Sequence, residues 1–121
     1  SRWLASARSL NQGQVMDTLQ RLEQIIAERR SASSDESYVA NLNAKGIEKI
    51  AQKLGEEATE TVIAALSGTR KDLVSESADV LFHLLVLLGA KEIPLAEVLA
   101  ELDRREGTSG LAEKASRAPE E

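Results

Sequence analysis

Between Gly46 and Leu88 the chain carries two long runs of apolar residues at helical spacing, parted only by Ser67, Gly68 and Thr69. No other feature limits the fold as much. In the first run Ile47, Ile50, Leu54, Ala58, Val62 and Ala65 share one face. In the second, Leu73, Val80, Leu81, Leu84, Leu85, Leu87 and Leu88 spread over a wider arc, which predicts burial on more than one side. Two helices joined by so short a turn must lie side by side and antiparallel. Ser67 and Gly68 suit the end of the first, over about 46–66, and Thr69 caps the second, over about 70–88.

The flanks continue the pattern. Asp17 and Gln20 have capping-box spacing, and Leu19, Leu22, Ile25 and Ile26 give a stripe, so an earlier helix is expected over about 17–30. Ser31 to Glu36 reads as a polar loop, followed by a short apolar segment with Tyr38, Val39 and Leu42. Pro94 fits the first position of a last helix carrying Leu95, Val98, Leu99 and Leu102. Strand-like alternation is absent throughout. The expected fold is all-α, an antiparallel bundle of four to five helices. Apolar residues ring the helix over 70–88, with Phe82 and Val86 opposite Leu73, so a partner subunit is expected to cover part of it and complete the bundle as a homodimer. Residues 1–15 read as an extension (a tag, linker or fusion remnant), residues 16–117 as the helical domain, and residues 118–121 as a loose tail.

Composition removes several classes of function. There is no cysteine, so thiol nucleophiles, disulfides and thiolate metal sites are excluded. The net charge of −5 and the scarcity of rings (one Trp, one Tyr and one Phe) argue against a nucleic-acid binder. The longest apolar run, Val80 to Ala90, is too short for a bilayer and no signal peptide is visible, so a cytoplasmic protein off the membrane is expected.

The chemistry is concentrated on the two long helices. At about 100° per residue, Lys53, Glu57 and Glu60 fall on one flank of the first. Glu76, Asp79 and His83 fall on one flank of the second, one turn above another. Facing each other, the two acidic pairs make an all-oxygen ligand set suited to Mg2+ or Mn2+. Either pair alone reads more readily as a solvated face than as a site, and Lys53 with Glu57 as a surface ion pair. His83, the only histidine, reads as a satisfied ring among leucines, with a role in orienting Asp79 as the lesser alternative. The residues supply metal-assisted attack by water rather than nucleophilic catalysis.

These residues resemble a known family. Gly55-Glu56-Glu57-Ala58-Thr59-Glu60 and Glu76-Ser77-Ala78-Asp79 are similar to the paired acidic motifs of the all-α, MazG-like nucleoside triphosphate pyrophosphohydrolases. Within that superfamily, Ala44 to Glu57, Ala78 to Leu88 and the ending Ser109 to Arg117 resemble the phosphoribosyl-ATP pyrophosphohydrolases. So do Leu19 to Arg30 and Ser37-Tyr38, and the likeness runs over roughly 16–117. The resemblance implies Mg2+-dependent hydrolysis of phosphoribosyl-ATP to phosphoribosyl-AMP and pyrophosphate, the second step of histidine biosynthesis, by a homodimer. It implies Glu57, Glu60, Glu76 and Asp79 as metal ligands, with Glu57 or Glu60 also orienting the attacking water. Lys45, Lys49 and Lys53 are candidate phosphate contacts, and Arg105, Lys114 and Arg117 are candidates to close over the substrate. Two alternatives stand beside this reading: a house-cleaning nucleoside triphosphate pyrophosphohydrolase, and a non-enzymatic helical dimerisation module.

Overall fold

The computed structural model describes residues 12–106, with side chains from Thr18 onward. Five α-helices follow in order among these residues, and no strand occurs: α1 Gln12–Arg30, α2 Tyr38–Lys45, α3 Ile47–Ser67, α4 Arg70–Ala90 and α5 Leu95–Glu106. Residues 1–11 of the expected extension and all of the tail expected at 118–121 lie outside the described residues, as do residues 107–117.

The α3–α4 pair is the most extensive packing in the fold, and α1 also lies against α4. The turn between α3 and α4 is tightly specified. Gly68 N–H donates to Ala64 O at 2.9 Å. Thr69 Oγ1 accepts from Asp72 N at 3.1 Å, while Asp72 Oδ2 accepts from Thr69 N at 3.0 Å, a complete capping box. A Cβ on residue 68 would meet the Ala64 backbone at 3.0 Å, so a side chain there would push the turn open by a few tenths of an ångström.

Two boundaries differ from the sequence expectation. The first helix begins at Gln12, ahead of Asp17, because no proline or turn pair separates them; capping-box spacing alone does not start a helix. The short apolar segment is a true helix, α2. Ser37 caps it, accepting from Ala40 N at 3.3 Å. Gly46 joins α2 to α3 at φ 99°, where any side chain is strained; its N–H closes α2 onto Leu42 O and its carbonyl accepts from Ile50 N. Pro94 sits one position before α5, whose first N–H, Leu95 N, donates to Glu23 Oε2 of α1 at 2.7 Å. A carboxylate there also answers the helix dipole.

The core lies at one end of the hairpin. Ile26, Val39, Leu42, Ile50, Leu85, Val86 and Leu95 form one buried cluster drawn from all five helices. Val86 is 0% exposed. This corrects the expectation that Val86 would await a partner subunit; Phe82 too is partly buried within the protomer. The uncovered apolar residues of α3 and α4 lie elsewhere, Val62, Ile63 and Leu66 on α3 and Val74 and Leu81 on α4, with Ile47 at the start of α3; Ile25, Ile93 and Leu102 are exposed on or beside α1 and α5. Of the expected α3 stripe, Ala58, Val62 and Ala65 are exposed because the core covers mainly the first half of the helix, and Ile47 is exposed at its very start, so that Ile50 alone is fully buried and Leu54 half-buried. By length and mean hydropathy (1.6) α4 could cross a bilayer, but it carries Glu76, Asp79 and His83 and packs along α3.

Candidate active site

The carboxylates sit on α3 and α4 where the core ends. The antiparallel pairing brings Glu57 of α3 opposite Glu76 and Asp79 of α4, and one oxygen from each lies within 4.8 Å of the others. Glu57 is 9% exposed; Glu76 and Asp79 are half-buried. Oε2 of Glu57 and Oε2 of Glu76 are buried and receive no hydrogen bond. Buried carboxylate oxygens without donors are costly unless a cation or a proton joins them.

The electrostatics agree. The Glu76 carboxyl is pushed up to about 7, first by a hydrogen bond shared with Glu60, then by desolvation and the charges of Glu60 and Glu57. The Glu57 carboxyl is raised too, first by burial, then by Glu60 and Asp79. Two carboxyls share a hydrogen bond only while one keeps its proton. Glu60 thus stands within reach of both, although it is more exposed and lies outside the tight group of three. Glu60 and Glu76 also line a cavity of about 240 Å3 that runs to Gly68 and Asp72. A larger cavity of about 510 Å3, between α1 and the end of α4, shares no residue with the carboxylate group.

The basic candidates are less concentrated. Lys53 is paired with Glu56 at 3.3 Å rather than with Glu57, so the i, i+4 pair read from the sequence is an i, i+3 pair. Lys49 is half-buried and Lys45 exposed on the neighbouring turns. Arg105 is held on α5 by Glu101 at 3.0 Å. Lys114 and Arg117 lie outside the described residues.

His83 is 5% exposed and bonded at both nitrogens: Nδ1 lies 2.7 Å from the carbonyl oxygen of Asp79, and Nε2 lies 2.9 Å from the Tyr38 hydroxyl. The satisfied ring expected from sequence is present. Its partner Tyr38 was not foreseen, since one tyrosine in a short apolar segment gives no signal of a contact 45 residues away. Phe82 packs beside both, 6.1 Å from the Tyr38 ring centroid and 5.1 Å from that of His83.

The phosphoribosyl-ATP pyrophosphohydrolase family model matches residues 19–106, which include every one of these groups except Lys114 and Arg117. The chain belongs to that family. A phosphoribosyl-ATP pyrophosphatase of Novosphingobium aromaticivorans is 70% identical over 102 residues, 84% of this chain and 95% of the relative. One of Erythrobacter litoralis is 68% identical, over 84% of this chain and 98% of the relative. A more distant one of Geobacter metallireducens is still 58% identical over 104 residues. The family match spans all of α2 to α5 and most of α1, so the carboxylate group belongs to the part of the chain that defines the family.

Proposed function

We propose that this chain hydrolyses phosphoribosyl-ATP to phosphoribosyl-AMP and pyrophosphate, in the cytoplasm, as the second step of histidine biosynthesis. The observation that carries the reading is the group Glu57, Glu76 and Asp79, with two buried oxygens that no donor reaches. The family and the names of the relatives supply the substrate.

The donor set fits Mg2+, with Mn2+ as the nearest substitute: all ligands are hard oxygens, and neither cysteine nor a histidine nitrogen free of partners competes. Glu57, Glu76 and Asp79 would hold the ion, with Glu60 as a fourth ligand. Bound there, Mg2+ would supply charge neutralisation of the phosphates and an acidified water. The chain's own residues do the rest. Glu57 or Glu60 orients the attacking water by accepting its proton-bearing hydrogen bond. Lys53 and Lys49 on α3, and Lys45 at the end of α2, are proposed to meet the phosphates; Arg105, Lys114 and Arg117 are proposed to close from the C-terminal side.

The same reading includes a homodimer. Val62, Ile63, Leu66, Val74 and Leu81 present large apolar side chains to solvent near the site. A second copy is the simplest cover, and twofold symmetry the commonest arrangement.

The test is pyrophosphate release from phosphoribosyl-ATP with and without Mg2+, beside a panel of ordinary nucleoside triphosphates. Release that needs Mg2+ and favours phosphoribosyl-ATP is expected. Preference for ordinary triphosphates would move the chain to the house-cleaning activity, and no release from any substrate would leave only a dimerisation module.

A further inference from the structure

Tyr38 opens α2 at the edge of the carboxylate group. Its hydroxyl is two hydrogen bonds from Asp79: Tyr38 to His83 Nε2 at 2.9 Å, and His83 Nδ1 to the Asp79 carbonyl at 2.7 Å. A carbonyl only accepts, so Nδ1 carries the proton; in the neutral ring Nε2 then accepts from the Tyr38 O–H. The ring is therefore held in one orientation, with Phe82 stacked on it at an interplanar angle of 25° and the His83 ring edge-on at 85°. Yet Tyr38 remains 49% exposed. The pKa of its hydroxyl is shifted up, first by burial and then under the charges of Lys53, Glu57 and Asp79, so it lies within electrostatic range of the carboxylate group.

Core packing does not account for this arrangement. Satisfying His83 requires only the hydroxyl, and burial is what an aromatic ring ordinarily contributes. Here a ring is held by two neighbours, Phe82 and His83, and left half in water. Among the described residues it is the only exposed aromatic side chain. A rigid, half-exposed ring beside a polyphosphate site has the properties of a stacking platform for a base.

We propose that Tyr38 is a substrate-contact residue that reads the nucleobase, its free ring surface stacking on the purine while the phosphates lie at the carboxylates. This rests on the reading of the site as one for a nucleotide polyphosphate. It adds a determinant for the part of the substrate that neither the carboxylates nor the lysines recognise. The lone pairs of the Tyr38 oxygen, not used while its O–H donates to His83 Nε2, are available to accept from the substrate.

Equilibrium binding separates the base from the phosphates. The probes are α,β-methylene-ATP, which keeps the base but lacks the oxygen bridge cleaved in pyrophosphate release, and inorganic tripolyphosphate, which has no base. Both are titrated calorimetrically, with Mg2+, into the full chain and into Tyr38→Ala and Tyr38→Phe. Tyr38→Ala is expected to weaken α,β-methylene-ATP by about tenfold to a hundredfold, the range for loss of one base–aromatic stack. Tripolyphosphate affinity should stay within about twofold of the unmodified chain, because no phosphate contact is lost. Tyr38→Phe keeps the ring and should lose much less. Equal weakening of both probes would make Tyr38 a mere support of the site and overturn the proposal, as would an unchanged affinity for α,β-methylene-ATP. Should the unmodified chain fail to release pyrophosphate from phosphoribosyl-ATP, that would sink the proposed activity, while the split between the two probes would still decide the role of Tyr38.

Discussion

The two ends of the α3–α4 hairpin are built on different principles. At the end near Ile50 and Val86, α1, α2 and α5 close over the pair, and the buried cluster is continuous. At the end near the Ser67–Thr69 turn, among the described residues, no other helix contributes to the buried cluster; Ala64 is the only buried apolar residue there, and Leu66 is 82% exposed. The carboxylates lie at the junction. One side supplies rigidity and desolvation, which bury Glu57 and raise its carboxyl. The other supplies access and an uncovered apolar surface. A group of acids wholly inside the closed end would be costly to ionise. Placed wholly at the open end, it would lack the burial that leaves two of its oxygens without donors.

The largest expected effect falls at the junction. Glu57→Gln and Asp79→Asn should each lower turnover of phosphoribosyl-ATP at least a hundredfold, about 2.7 kcal/mol in barrier. The amides keep shape but lose the charge that holds a hard cation. Because each change also relieves repulsion among neighbouring acids, the metal-free melting temperature should hold or rise. Near-normal turnover at saturating Mg2+ would remove the residue from the site.

The two ends themselves are separated by a pair of truncations. Ile50→Ala opens a cavity in the closed core and should cost about 2–5 kcal/mol by denaturant unfolding. Leu66→Ala should change intrinsic stability by less than about 0.5 kcal/mol, since it gives up little burial. Leu66→Lys with Val74→Lys should instead shift sedimentation toward a monomer. A stable dimer in that double variant would assign the interface to another face.

A third test follows from Glu76. Its carboxyl rises from the ordinary value near 4.5 to about 7, so the folded chain binds more protons than the unfolded one across that window. The linked stability is present below about 4.5 and is lost as pH rises through about 7. Without divalent cations the melting temperature should therefore fall from pH 5 to pH 8. Mg2+ should restore it, and more so at pH 8, where the ligands are ionised. Glu76→Gln should flatten both dependences. A metal-free melting temperature that rises over this range would contradict the clustering of Glu57, Glu60 and Glu76.

Much of this division was legible before the structure, and the parts that were not share a cause. Thr69, Gly68 and the spacing of Glu57, Glu60, Glu76 and Asp79 are local signals, and the helices, the turn and the facing of the acids follow them. Direction on α4 was not legible. Where Val80 to Leu88 is apolar almost all round, periodicity does not say which side meets the core, and Val86 was assigned to the wrong side. On α3 the stripe is real, but whether its far half is covered depends on where α1 and α2 stop. The helix Tyr38–Lys45 is too short for its period to show. The Tyr38–His83 contact is tertiary and leaves no trace in spacing.

The smallest effect tests the open end alone. With no core beneath it, the α3–α4 turn rests on local hydrogen bonds, chief among them the reciprocal pair between Thr69 and Asp72. Thr69→Ala removes the hydroxyl that accepts from Asp72 N, leaving an N–H in the first turn of α4 without its partner. The loss should be about 1 kcal/mol, the usual value for an N-cap. For a domain of this length that corresponds to roughly 3–6 °C in melting temperature. Thr69→Ser, which keeps the oxygen, should recover most of it. If the closed core alone held the hairpin, neither change would be felt, and a Thr69→Ala variant melting with the unmodified chain would show that the open end borrows its order from elsewhere, the partner subunit being the first place to look.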